Sequence, residues 1–173
     1  MAERVERELE RHRARLYGYA LSLAGDRDAA QDLLQDCAVK ALSTTAVPAA
    51  DGALRAWLFR ILRNAWIDRH RSDRLVPMAE PPEPPRDGSE YCSYDTRLIN
   101  SIAVRQAMER LPAAHRDIIA LVDLAGFAYA EAAAILDVPV GTVMSRLSRA
   151  RQSLLEMIAD SNVRPLRVKR RPE

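Results

Sequence analysis

Thr142, Ser145, Arg146 and Arg149 lie in the stretch VPVGTVMSRLSRARQSLLEMI, Val138 to Ile158, and on a helix their spacing gathers them on one side. Short hydroxyls and guanidinium groups so arranged can enter a DNA major groove and reach phosphates and guanine edges. The opposite side carries Val143, Leu147, Ala150, Leu154 and Ile158 at steps of 4, 3, 4 and 4, an apolar seam that would anchor the helix to its own domain. An ordinary amphipathic surface helix has the same division, so the polar face alone leaves both readings open.

A second set, Trp57, Arg60, Asn64, Asp68 and Arg71, recurs at spacings of 3, 4, 4 and 3 and mixes a planar aromatic, an amide and guanidinium groups. Such a surface can stack on an unpaired base and hydrogen-bond to its edge. Trp57 and Trp66 also flank an apolar stripe, and taken by itself the pattern favours tryptophans in the core. A third set, Asp28, Asp32 and Asp36 with Gln35 alongside, repeats an acid every four residues. Like charges at that spacing slightly destabilise an isolated helix, so the row is either a docking face for a basic partner or a solvated side. His12, His70 and His115 have no carboxylate or cysteine at ligand spacing, and six dispersed glycines form no phosphate loop. No catalytic, cofactor or metal site is therefore expected.

Helices must position these groups. Before residue 76, Val5, Leu9, Leu16, Ala20 and Leu23 form one helical stripe; Asp26 can cap a second helix whose inner side is Ala30, Leu34, Cys37 and Ala41. After a loop at Pro48 to Gly52, a helix over roughly 53–71 buries Leu54, Leu58, Ile61 and Ala65. Val76 to Glu90 then holds five of the ten prolines with four acids, a composition that sustains neither a helix nor a central strand. Beyond it come a helix from Thr96 to Arg110, another from Pro112 through Ala125 with Ile118, Leu121, Val122 and Ala125 inward, and a short one from Tyr129 to Leu136. Only Asp137, Val138 and Pro139 separate the last from the helix of the opening stretch, which is the sequence form of a helix-turn-helix and favours the DNA reading. No segment alternates with period two, so the fold class is all-α, in two small domains: 1–75, a linker 76–95, 96–160, and a disordered basic tail 161–173.

Composition agrees. The formal net charge is only +2, yet 24 of the 26 basic residues are arginine, with six between Leu54 and Arg74 and five basic residues from Arg164 to Arg171. Basic patches on a nearly neutral chain suit phosphate contacts made at chosen places. The charged N-terminus has no apolar run long enough for a signal peptide or membrane span, which places the chain in the cytoplasm. Cys37 and Cys92 lack metal-ligand spacing and are read as bystanders.

DRDAAQDLLQDCAVKAL, LRAWLFRILRNAWIDRHRS, the proline-acid linker and LPAAHRDIIALVDLAGFAYAEAAAILDVPVGTVMSRLSRARQSL together resemble the extracytoplasmic-function group of the sigma-70 family of bacterial sigma factors, over about Leu16 to Leu155. The resemblance implies docking of Asp32, Gln35 and Asp36 on the β′ clamp helices of core RNA polymerase, with further contact to its β subunit. It implies recognition and melting of the -10 promoter element by Arg60, Asn64, Asp68 and Arg71. It implies reading of the -35 element by Ser145, Arg146 and Arg149, with Thr142 on a phosphate, and a linker running through the polymerase. It also implies an anti-sigma partner and a stress or envelope response, with no cofactor, small-molecule substrate or membrane insertion. Three departures stand out: Met144 where the family has lysine, Ala128 in place of a capping serine, and Asp137 at the turn glycine. Two rivals are a stand-alone helix-turn-helix regulator, which leaves the acidic row and the Trp57 face without a task, and a sigma-like decoy for an anti-sigma factor, a type that carries a receiver domain not found in these 173 residues.

Overall fold

Every element among the described residues is helical: α1 (Ala2–Ala24), α2 (Arg27–Ser43), α3 (Asp51–Asp73), α4 (Thr96–Arg110), α5 (Ala113–Ile119), α6 (Tyr129–Leu136) and α7 (Val140–Ala159). The computed structural model describes residues 2–73 and 96–159 and, within them, all side chains but those of 71–73 and 96–102. The linker 76–95 and the tail 161–173, read from composition, lie outside the described residues. None of the described helices is long and apolar enough to cross a membrane.

Local chemistry sets the boundaries of the first three helices. Gly25, at φ +74°, ends α1 in the left-handed conformation that costs glycine nothing. Asp26 then starts α2 by accepting the Ala29 N–H at 2.9 Å. α3 begins at Asp51, two residues inside the expected loop, because Arg4 of α1 holds the turn: its guanidinium donates to Pro48 O at 3.0 Å and to Asp51 Oδ1 at 2.9 Å. The inner stripe of α2 is Ala30, Leu33, Cys37 and Ala41, with Leu34 only partly buried. The expectation of Leu34 chose the wrong one of two adjacent leucines.

On α3 the difference is larger. Leu54, Leu58 and Ala65 are buried as expected, but Ile61 is only partly so, while Trp57, Phe59 and Leu62 are buried too. The reason is a second covered side. Arg55, Phe59 and Arg63, four residues apart, meet the C-terminal half of the chain. Arg55 lies 3.9 Å over the Phe127 ring and donates to Ala125 O and Gly126 O at 3.1 and 3.0 Å, which satisfies carbonyls at a helix end. Phe59 meets Phe127 edge-on, with centroids 4.7 Å apart, and Tyr19 of α1 from the other side at 5.4 Å. Arg63 Nε donates to Asp117 Oδ2 at 2.8 Å, and the Tyr19 hydroxyl donates to Asp117 Oδ1 at 2.5 Å. The apolar cluster therefore runs without a break from α1, α2 and α3 into α5, α6 and α7.

The helix expected through Ala125 leaves α-geometry at Ile119. It closes with a π turn, Ala120–Leu124, in which the Ala125 N–H donates to Ala120 O at 2.9 Å, and Gly126 at φ +73° turns the chain away. The wider turn leaves Ala120 and Leu121 inside but Asp123 and Leu124 outside, where Asp123 Oδ1 pairs with Arg151 Nη2 of α7 at 2.5 Å.

Asp117, 4% exposed, accepts from two groups of the other half and has a separate partner for each carboxylate oxygen. Asp117→Ala strands a buried tyrosine hydroxyl and a mostly buried guanidinium. It is expected to lower unfolding stability by about 1–3 kcal/mol and to enlarge the particle as the halves part. Thermal unfolding with small-angle scattering checks this; a wild-type midpoint and radius would contradict it.

Candidate nucleic-acid interfaces

The helix-turn-helix has the geometry that its sequence signals. α6 and α7 keep the expected limits, and the turn passes through Asp137 at φ 55°, ψ 52°, the left-handed conformation that aspartate tolerates. At the start of α6, Ala128 supplies no side-chain cap; the first turn retains only the reverse bond, in which Glu131 Oε2 accepts the Ala128 N–H at 2.8 Å. The α7 seam packs as predicted at Val143, Leu147 and Ala150, all within 1% exposure, and α7 rests on α5 and α6. Leu154 and Ile158 are partly buried as the helix runs out from the core.

The other side of α7 is open. Ser145 and Arg149 are exposed, Thr142 and Arg146 half-exposed, and Met144 is 54% exposed on the flank. The Thr142 N–H is spent on Pro139 O at 2.9 Å, so its hydroxyl is the group left for a phosphate. The Ser145 hydroxyl donates back to Thr142 O at 3.2 Å, which leaves its oxygen free to accept. Arg151 is committed to Asp123 and is not part of the open face.

The second face lies along a cleft between α2 and α3. Asn64 and Asp68 line it from α3 together with Trp57 and Ile61, and Lys40 and Ser43 of α2 with Thr44 just beyond it close the other side, around about 350 Å³. Trp57 is 9% exposed, so it is a core residue showing one edge to the cleft rather than a free platform. Arg60 is exposed but does not line the cleft, and the side chain of Arg71 lies outside the described residues. Lys40 Nζ stands 3.5 Å from Asp68 Oδ2 across the opening.

The acidic row is exposed at Asp32 and Gln35 and half-exposed at Asp36, with Asp28 at the exposed start of α2. It is not left to solvent: Arg69 of α3, absent from the set read from the sequence, donates to Asp36 Oδ2 from Nη2 at 2.7 Å and lies 3.8 Å from Asp32 Oδ2. Val39 and Leu42, 66% and 42% exposed, add an apolar strip to the same helix. They could have been found as the apolar residues of α2 that fall off its inner stripe.

Among the described residues no group of His, Cys, Asp or Glu could hold a metal ion. His12 is buried 3.2 Å from Glu8, and burial pulls its pKa below the ordinary histidine value. Burial pushes the Cys37 thiol up to about 12, far from a nucleophile's range.

The sigma-70 region 2 family model matches residues 9–75 and the sigma-70 region 4 model matches residues 101–154. The ECF RNA polymerase sigma factor SigM of Mycobacterium tuberculosis is 33% identical over 152 residues, 88% of this chain and 76% of that protein. The ECF RNA polymerase sigma factor EcfG of Rhodopseudomonas palustris is 35% identical over 148 residues, 83% of this chain and 78% of that protein. A co-crystal structure of the sigma factor RpoE with the anti-sigma factor NepR from Bartonella quintana superposes with a TM-score of 0.64 at 31% identity, over 91% of this chain and 98% of that one.

Ala128→Ser supplies the missing cap at a residue already in the extended conformation, φ -65°, ψ 156°. It is expected to raise unfolding stability by about 1 kcal/mol, read as a higher denaturant midpoint at unchanged slope. A midpoint that stays put would mean that the Glu131 bond already satisfies the turn.

Proposed function

The chain belongs to the sigma-70 family, among the ECF RNA polymerase sigma factors, and on that premise we propose how its surfaces divide the work. It binds core RNA polymerase, directs it to a limited set of promoters and leaves the chemistry of RNA synthesis to the polymerase, acting in the cytoplasm and not as an enzyme itself. An anti-sigma factor holds it in check, as NepR binds the Bartonella relative.

The observation that carries the reading is that one chain presents both an open helix-turn-helix face and a separate cleft between α2 and α3. A stand-alone helix-turn-helix regulator has use for the first alone. We assign Ser145, Arg146 and Arg149 to the major groove of the -35 element, with Thr142 on a backbone phosphate. A base flipped from the -10 element enters the cleft, where Asn64 and Asp68 meet its edge, while Arg60 and Arg71 meet phosphates of the opened strand. The amide offers donors and an acceptor and the carboxylate only acceptors, so the pair can tell bases apart rather than merely hold them. Asp32, Gln35 and Asp36, with the apolar Val39 and Leu42, dock on polymerase; acids surrounding an apolar strip suit a basic surface with hydrophobic residues among its cations. Once parted from the packed arrangement, residues 1–75 and 96–160 act as tethered modules, each adding to the other's effective concentration on the promoter.

Run-off transcription with core polymerase tests the whole reading: promoter-dependent initiation is expected, and its absence on every genomic template would overturn it. Within that assay Arg149→Ala removes one groove contact of about 1–3 kcal/mol, so initiation should fall roughly tenfold or more on promoters that depend on their -35 element. Equal activity on such promoters would remove Arg149 from the groove.

A further inference from the structure

Opposite its buried seam, α7 is not uniform. At about 100° per residue, the direction facing away from Val143, Leu147 and Ala150 falls on Ser145 and Gln152, both exposed. Thr142, Arg146 and Arg149, which carry the hydroxyl and the guanidinium groups, lie to one side of that line. Val140, Met144 and Ser148 lie to the other. Val140 and Met144 are 41% and 54% exposed. They stand one turn apart within the first five residues of α7, the part of a recognition helix that meets base edges. Further along this flank comes Arg151, which Asp123 holds through Nη2 at 2.5 Å and Nε at 3.1 Å. The flank therefore brings two apolar side chains and a hydroxyl to the groove, and its cation is already spent.

A DNA duplex offers such a flank one kind of partner. Phosphate oxygens and the polar atoms of base edges gain nothing from a thioether, whereas thymine carries a C5 methyl group on its major-groove edge. Methionine suits that contact, because an unbranched chain and a polarisable sulfur adapt to a small apolar group. We propose that Met144 is a specificity-determining residue that reads a thymine methyl of the -35 element. One flank of α7 then selects by hydrogen bonds and the other by an apolar contact. Cytosine in the same place lacks the methyl and a purine presents N7, so either loses the contact. This inference rests on the assignment of α7 to the -35 groove.

The test removes the methyl and nothing else. The full chain, assembled with core RNA polymerase, is bound to a promoter mapped from transcript starts after overproduction. Each thymidine of its -35 element, on either strand, is replaced in turn by deoxyuridine. For the unaltered chain, replacement at one position or at two adjacent ones should weaken the complex about two- to fivefold, the effect of one methyl left uncovered. Met144→Ala should bind the thymidine promoter weaker by a similar factor and show no further loss with deoxyuridine, so the side chain and the methyl couple in a double-mutant cycle. Met144→Lys should bind both templates alike, and with a steeper salt dependence, since the added charge can reach a phosphate. No sensitivity to deoxyuridine in the unaltered chain overturns the proposal, and so does sensitivity that survives in either variant. A loss in Met144→Ala that is equal on both templates also overturns it, because the methionine would then meet polymerase rather than a base. Arg149→Ala separates these failures from that of the groove assignment. If it weakens promoters through their -35 element while Met144 shows no coupling, only the methyl contact is wrong; if neither residue matters there, α7 is not the reader.

Discussion

The arrangement turns on one buried carboxylate. Asp117 lies where α5 packs on α1, within reach of Arg63 of α3, and apolar surroundings make an unpaired charge there costly. The chain meets that cost with partners from the other half alone, Tyr19 on one oxygen and Arg63 on the other. Burial and the facing carboxylate raise the Tyr19 pKa well above its ordinary value, so the phenol stays protonated and acts as a fixed donor. The drive to bring the halves together comes from Phe59, Phe127 and the apolar cluster around them; the carboxylate decides their register. A shift of α5 by one residue would turn Asp117 by about 100° and leave both donors and the acceptor without partners.

Because the register is set there, α3 works on three sides. Leu54, Leu58 and Ala65 face its own half, Arg55, Phe59 and Arg63 face the other, and Asn64 and Asp68 border the cleft. A helix with one free side in three explains why Trp57, whose spacing alone suited a base platform or a core position, has gone to the core. It also explains the weak amphipathicity of the segment: apolar residues on two sides leave no single polar half.

What could be read from the sequence follows the range of the interactions. The cap at Asp26, the turn through Asp137 and the limits of α6 and α7 are set by neighbours a few residues away, and local chemistry announces them. The all-α class follows from periodicity in the same way. The Tyr19–Asp117 contact spans 98 residues and no local pattern encodes it. Arg69 escaped notice because its partner is fixed by how α2 and α3 cross, not by spacing within either. The π turn is not announced because Ile118 to Ala125 is apolar enough to continue a regular helix, while what surrounds the wider turn, Arg151 of α7 on Asp123 included, comes from outside the segment. The open groove side of α7 was legible as a surface, while the bond from Ser145 back to Thr142 is visible only in three dimensions.

The row Arg55, Phe59 and Arg63 has a consequence for synthesis on the ribosome. Its partners Asp117 and Phe127 emerge some sixty residues after it, a delay of several seconds at roughly 5–20 residues per second. During that interval the nascent N-terminal half shows two cations and an aromatic ring that only Tyr19 covers from its own side. Whatever reaches that surface first, a chaperone or an assembly partner, competes with the rest of the same polypeptide for it, so the pace of translation enters the partition between self-closure and capture.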